Sequence, residues 1–314
     1  MIQVKGLIKN YNEVEAVKSI DFTINPGEVV GFLGANGAGK STTLKILTGY
    51  LSPTAGEVMI EGLNIENHSH ELKKIVGYLP ESNPLYSEMY VYDLLKFIAN
   101  THNLNENDFK ESLDKVISQC GLSGVMHKTV GECSKGYKQR VGLACAMIHN
   151  PKILILDEPV TGLDPNQIIE IRQLIKNLGK EKLVLMSSHI LQEIEATVDR
   201  IIIIDKGKIV ADGTTTKLMN KFMGSIRLTA EVVGMTEPKL EKFKDNFKKA
   251  KVTKLKNSHK ITMQYNKNDD PRENIFNFVV KNKMTLLEMS TKTDNLEDIF
   301  RKLTHSQSQS GIKL

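Results

Sequence analysis

No apolar run in this 314-residue chain approaches the roughly 18 residues that a membrane-spanning helix needs. The mean hydropathy is -0.25, and the longest apolar stretches, such as 201–204, are strand-sized. An integral membrane protein is therefore excluded. Cysteine is scarce as well: Cys120, Cys133 and Cys145 form no CxxC pair and leave an odd number, which argues against a disulfide framework or a zinc ribbon and fits a reducing compartment. The first residues, Met-Ile-Gln-Val-Lys, lack the charged-then-apolar order of a signal peptide, so the mature chain is expected to begin at Met1. There is no internal repeat.

What is present is room for one large domain or two ordinary ones. The formal net charge of +5 is unevenly placed: residues 1–220 carry 23 basic and 26 acidic side chains, and 221–314 carry 19 and 11. The excess belongs to the C-terminal end. Short β-rich stretches are predicted at 2–11, 16–24 and 29–33, followed by a helix at 40–48 after Gly-rich sequence. Buried-type strands follow at 152–156, 182–186 and 200–205, with helices at 166–178 and 190–198 between them. Strands alternating with helices imply a mainly parallel sheet covered on both faces, whose carboxyl ends would receive a ligand. From 90 to 150 helical periodicity replaces the strands, at 90–100, 108–120 and 138–149, as in a helical insertion. Beyond 220, a strand at 225–233, a helix at 238–250, a hairpin of 252–255 with 260–265, a helix at 272–284, a strand at 286–290 and a helix at 296–303 complete β-α-β-β-α-β-α. That order predicts a small α+β ferredoxin-like domain over 221–305, with a flexible tail at 306–314.

Gly34-Ala35-Asn36-Gly37-Ala38-Gly39-Lys40-Ser41 matches the P-loop pattern in full, between an apolar strand and a helix. Such a loop wraps polyphosphate with backbone N–H groups, and the helix N-terminus adds about half a positive charge. Lys40 supplies a point charge for the β- and γ-phosphates, and the Ser41 hydroxyl can ligate Mg²⁺. A second motif, Ile153-Leu154-Ile155-Leu156-Asp157-Glu158-Pro159, delivers two adjacent carboxylates at the end of a strand. Side chains alternate along a strand, so one carboxylate can hold the Mg²⁺ shell while the other polarises water. Burying both without a cation would be costly, and a magnesium–nucleotide site removes that cost.

Cys133-Ser134-Lys135-Gly136-Tyr137-Lys138-Gln139-Arg140 could by itself be an ordinary helix cap. It also resembles the signature of ATP-binding cassette (ABC) ATPases, usually Leu-Ser-Gly-Gly-Gln, with Ser134 and Gly136 at the matching positions. Tyr11 upstream, Thr161-Gly162-Leu163-Asp164-Pro165 after the carboxylates, and His189 after Met186-Ser187-Ser188 follow in that family's order. Over residues 1–220 the chain is thus similar to an ABC cassette: a P-loop α/β fold with a mainly parallel sheet, an antiparallel β subdomain and a helical subdomain at about 85–150. The wider match, including Pro80-Glu81-Ser82-Asn83-Pro84-Leu85-Tyr86, resembles gliding-motility-associated ATP-binding subunits, relatives of ABC-2 type exporters.

The resemblance implies that ATP is held by Tyr11 on adenine and by Asn36, Gly37, Ala38, Gly39, Lys40, Ser41 and Thr42, and is covered by Ser134 and Gly136 of another cassette in a head-to-tail dimer. Glu158 would activate water, Asp157 and Ser41 would hold Mg²⁺, and Lys40 and His189 would meet the γ-phosphate. Glu81 stands where the family commonly has a glutamine that reaches the metal; its carboxylate supplies an oxygen but adds charge and loses the amide donors. A membrane permease on a separate chain would dock near 81–92, placing the cassette in the cytoplasm at the inner face of the plasma membrane. The lysine-rich 239–260 reads as a solvated face or as a surface drawn to anionic lipid. No nucleic-acid partner is expected, although the basic C-terminal end keeps that as a minor rival, and a non-hydrolysing ATP clamp is a second rival. His68 and His70, with no third ligand nearby, read as solvated loop residues.

Overall fold

The computed structural model describes residues 1–222, 226–265, 269–293 and 300, with the backbone alone at 220–222 and 293. In chain order the elements are β1 (Ile2–Tyr11), β2 (Val14–Ile24), β3 (Val29–Leu33), α1 (Lys40–Leu47), β4 (Ala55–Ile60), β5 (Leu63–Asn64), α2 (Ser69–Ile75) and β6 (Val76–Leu79). Then come α3 (Val91–Thr101), α4 (Glu106–Cys120), α5 (Lys135–Met147), β7 (Ile153–Leu156), α6 (Pro165–Gly179), β8 (Leu183–Ser188), α7 (Leu191–Glu195), β9 (Arg200–Asp205) and β10 (Lys208–Thr214). After α8 (Thr215–Phe222) follow β11 (Ile226–Val233), α9 (Glu237–Asn246), β12 (Lys251–Lys254), β13 (His259–Tyr265), α10 (Arg272–Lys281) and β14 (Thr285–Thr293). The chain divides into units Met1–Thr215 and Thr216–Leu314, five residues upstream of the boundary read from the sequence.

The first unit is built on a six-stranded sheet of order β10-β9-β3-β8-β7-β6, parallel except for β10. Its central strands Val29–Leu33, Ile153–Leu156 and Leu183–Ser188 are buried at every residue, as expected of a sheet covered on both faces. A four-stranded antiparallel sheet, β2-β1-β4-β5, shares its core through Ile2, Val4, Val17, Ile20, Val58 and Ile60. The helical insertion presents apolar residues three and four apart, Val91, Leu94, Leu95 on α3 and Phe109, Leu113, Val116 on α4, to its own interior.

In the second unit β13 lies between β11 and β12, and the order β12-β13-β11-β14 is antiparallel throughout. Leu228, Ala230, Val232, Ile261, Phe243, Ile275 and Val279 form its core under α9 and α10.

Several boundaries differ from the sequence reading. Helix α5 begins at Lys135, not 138, because Ser134 caps it and draws the signature residues into the first turn. Helix α7 stops at Glu195, where the Thr197 hydroxyl donates to the Glu193 carbonyl at 2.8 Å. Helix α9 ends at Asn246, whose side-chain amide donates to the Lys242 carbonyl at 2.7 Å; Phe247 leaves the helix yet keeps its ring 4.6 Å from that of Phe243. His68 and His70 are not in a loop: His68 is the N-cap of α2 and half-buried, and His70 lies within that helix. Apart from residue 300, the expected helix at 296–303 lies outside the described residues, as does the tail at 306–314.

Candidate nucleotide site

The parallel strands deliver their chemistry to one edge. Leu33 pairs with Ser188, Leu156 with Met186, and Leu79 with Leu156, so Gly34, Asp157, His189 and the loop holding Glu81 all emerge at the carboxyl ends. The P-loop is folded against its neighbours too closely for side chains. A Cβ on Gly34 would lie 2.5 Å from the Ile204 carbonyl oxygen, and one on Gly39, at φ +110°, would lie 2.8 Å from that of Ala16. Gly39 is also the N-cap of α1 and leaves its first turn without a side-chain cap. Those N–H groups, with Asn36 and Gly37 exposed and Ser41 and Thr42 half-buried, form an anion cradle.

Behind the cradle lies a buried polar cluster. Lys40 is 5 % exposed, Asp157 1 % and Glu158 5 %. The Lys40 Nζ donates to the Gly34 carbonyl at 2.8 Å and stands 3.4 Å from Glu158 Oε1. Asp157 Oδ1 accepts from the Ser41 hydroxyl at 3.2 Å and from the Ser187 hydroxyl at 2.6 Å, while the Glu158 N–H donates to Ser187 Oγ at 2.9 Å. Glu158 Oε2 accepts from the Thr161 hydroxyl at 3.0 Å and lies 3.0 Å from His189 Nδ1. Glu158 has φ +51°, a left-handed backbone that costs a non-glycine residue on the order of 1–3 kcal/mol and collects at functional sites.

Two buried carboxylates face one lysine here, so the cluster is one positive charge short. A hard divalent cation arriving with phosphate oxygens would make up that deficit, and the oxygens of Ser41 and Asp157 could hold it. Mg²⁺ is typically bound through one or two carboxylates plus substrate phosphates, and Asp157 beside the Ser41 hydroxyl offers such a set. The residues fit the group.

A cavity of about 580 Å³ opens on this cluster, lined by Ser41, Asp157, Glu158, Glu81, Lys135 and Thr161 among others. Glu81 is exposed and faces the same space as Ser41. Tyr78 also lines it; its buried hydroxyl lacks a hydrogen-bond partner, and burial, then Asp157 and Glu81, push its pKa up. Tyr11 ends β1 and pairs with Val14, with the Lys9 ammonium 5.4 Å from its ring. Val14 is two residues, about 7 Å, along β2 from Ala16, whose carbonyl abuts Gly39. This places Tyr11 beside the cradle, not inside it.

Ser134 caps α5 by a long bond of 3.4 Å from the Tyr137 N–H. Gly136 is buried because the Gln167 side chain occupies the place of a Cβ, 2.5 Å from it, and the Lys135 ammonium packs on Gly162. Gly136, with its neighbour Lys135, is thus seated on the segment that follows Glu158, while Ser134 is exposed at the helix cap. The sequence reading assigned no role to Thr161, Ser187 or Gln139. Gln139 donates to the Pro159 carbonyl at 2.7 Å, tying α5 to the carboxylate loop. All three lay within or next to recognised motifs, but their partners are set by tertiary contacts that spacing does not show.

Comparison with known proteins agrees with this geometry. The ABC transporter family model matches residues 17–161. The chain is 32 % identical to the ABC transporter ATP-binding protein YxlF of Bacillus subtilis over 98 % of this chain and 100 % of that one. It is 38 % identical to the bacitracin transport ATP-binding protein BcrA of Bacillus licheniformis over 68 % and 69 % of the two chains. The dimeric structure of a bacterial ABC transporter cassette superposes with a TM-score of 0.63 at 25 % identity, covering 68 % of this chain and 98 % of that one. With its P-loop, paired carboxylates and signature helix on the fold that the family shares, this chain belongs to the ATP-binding proteins of ABC transporters.

Proposed function

We propose that the chain hydrolyses ATP as one half of a head-to-tail cassette dimer and drives a separate membrane permease. The observation that carries this reading is the buried Lys40–Glu158–Asp157–Ser41 cluster at the carboxyl ends of the parallel sheet. Arriving phosphate competes for the Lys40 ammonium and frees Glu158 Oε1. Its other oxygen stays with Thr161 and His189, so Oε1 accepts the proton of the attacking water. Ser41 and Asp157 would hold Mg²⁺, which would screen phosphate charge, and Glu81 faces the same space from the loop after β6. Lys40 and His189 stabilise charge on the transferring group, so catalysis is mostly positioning and electrostatics. Tyr11 stacks on the base; Asn36, Gly37, Ala38, Gly39 and Thr42 line the phosphates; Ser134 and Gly136 cover the ATP of the opposite cassette.

The dimer is supported by the dimeric cassette structure, and the export reading by the bacitracin transport relative. The gliding-motility subtype rests on the sequence resemblance alone. No helix among the described residues is long and apolar enough to cross a membrane; in this reading the permease is a separate chain and the cassette works in the cytoplasm beneath it. The exposed rings of Tyr86, Tyr90, Tyr92 and Phe97 offer that chain a surface on the helical insertion. The C-terminal unit is ferredoxin-like, as its strand order supports, and its lysine-rich 239–260 lies against anionic lipid. Liposome binding that ignores anionic lipid content would reject that last contact. The experiment for the whole reading is Glu158→Gln: hydrolysis stops while ATP traps a dimer, whereas a monomer in ATP rejects the assembly.

A further inference from the structure

Tyr78 carries a hydroxyl that the resting cluster does not use. The residue lies on β6 beside Ile155 of β7, and Asp157, two residues beyond Ile155, leaves its strand on the same side of the sheet. The half-buried ring packs against the core that Val76, Ile153 and Ile155 share with Leu44 and Leu47 of α1, which holds it in place. Tyr78 also lines the nucleotide cavity, together with Ser41, Glu81 and Asp157. Its hydroxyl is shielded from solvent and makes no hydrogen bond. Burial, and after it the carboxylates of Asp157 and Glu81, raise its pKa, so the group stays a neutral donor. A buried donor without an acceptor costs stability that a phenylalanine at the same place would not. The cost is recovered when an acceptor moves up to it.

Two carboxylates are near enough to be that acceptor, and they differ in freedom. Asp157 is 1 % exposed, and its Oδ1 is already held by the Ser41 and Ser187 hydroxyls at 3.2 and 2.6 Å. It is fixed where it stands. Glu81 is exposed, sits on the loop just after β6 and three residues from Tyr78, and lines the same cavity. It is the carboxylate that can move. We infer that Tyr78 is the positioning residue of Glu81: as Glu81 turns into the cavity, the Tyr78 hydroxyl donates to one of its carboxylate oxygens and aims the other at the space beside Ser41. The bond is charge-assisted, hence stronger than one between neutral groups, and it is the kind of outer contact that orients a metal-binding carboxylate. A carboxylate has two oxygens to divide in this way, whereas a glutamine has one oxygen and an amide that cannot accept. The glutamate at position 81 thereby gains a use that the family's common glutamine does not have. This inference rests on the reading of the cavity as a magnesium–nucleotide site.

Magnesium-dependent ATP binding tests this, read as the rise in melting temperature of the full chain carrying Glu158→Gln, in which bound ATP should persist. Adding Tyr78→Phe removes a single oxygen. Without nucleotide, the melt of that variant stays at or above the melt of Glu158→Gln alone, because the lost hydroxyl had no partner. A lower melt would make the hydroxyl structural and overturn the proposal. With ATP present, Tyr78→Phe raises the Mg²⁺ concentration for half-maximal stabilisation about tenfold. On a Glu81→Ala background the same substitution has no further effect, as expected of two residues that act as one unit. An unchanged Mg²⁺ requirement, or an equal rise with and without Glu81, overturns the proposal. The parent measurement keeps the two readings apart. If ATP stabilises Glu158→Gln in a Mg²⁺-dependent way and Tyr78→Phe is indifferent, the positioning role alone is lost; if Glu158→Gln shows no Mg²⁺-dependent stabilisation, the magnesium–nucleotide reading falls and the proposal with it.

Discussion

Glu158 is held from three sides by groups with different tasks. Lys40 neutralises one oxygen, Thr161 and His189 fix the other, and Ser187 takes the backbone N–H while also bonding Asp157. At this scale the strictest requirement is for glycine in the P-loop. Gly39→Ala places a Cβ 2.8 Å from the Ala16 carbonyl oxygen on a backbone at φ +110°, and should destabilise the cassette by about 1–3 kcal/mol while abolishing nucleotide binding. A thermal melt and a nucleotide titration check both, and an unchanged pair of curves contradicts the cradle. Glu81 can be examined by Mg²⁺ dependence. If its carboxylate orders the metal's water, Glu81→Gln should raise half-saturating Mg²⁺ by about tenfold, and an identical profile removes Glu81 from the metal site.

Among the elements, α5 joins the signature to the carboxylate loop through its cap, Gly136 against Gln167, and Gln139 on the Pro159 carbonyl. The 3.4 Å cap bond of Ser134 is long, so Ser134→Ala should cost no more than about 1 kcal/mol in a melt. Its loss of ATPase should be far larger if, as proposed, the hydroxyl serves a second cassette. Equal, small losses would reduce Ser134 to a cap. Much of this was legible in the sequence. Apolar runs 153–156 and 201–204 and the Gly-rich turn before Lys40 are local signals, and local signals located β7, β9 and α1. The short β4 and β5, helix α2 and the antiparallel β10 were missed. Ala55-Gly56-Glu57 shows no apolar alternation; β4 and β10 owe their shape to pairing with β1 and β9, and β5 to pairing with β4. The start of α5 was misplaced because a cap outranks apolar periodicity at a helix end.

Across the whole molecule, stability should depend on pH through a histidine outside the nucleotide site. His149 stacks on His102 with centroids 3.8 Å apart and planes 3° from parallel. Its Nε2 lies 3.3 Å from the Val76 carbonyl, and its buried Nδ1 has no partner. Burial, then His102, push its pKa from 6.5 down to about 4, against the raising effect of the Val76 carbonyl; Lys182 also lowers it. His70, Lys73, Lys74, Tyr50, Tyr78 and Cys145 line the same cavity of about 560 Å³. Between pH 6.5 and 4 the unfolded chain binds a proton that the folded one refuses. The stability it contributes is complete above 6.5 and is lost as pH falls toward 4, by at most about 3 kcal/mol. His149→Gln should flatten that part of a melting-temperature profile, and an unaltered slope would exclude His149 as the cause.

The chain belongs to the ABC ATPases, and the proposal for it names Glu158 as the water-activating group. Phosphate release from MgATP, measured side by side for the parent chain and Glu158→Gln, tests that claim most directly. A fall of about 10²–10⁴-fold is the expected result, and equal turnover in the two proteins would contradict it.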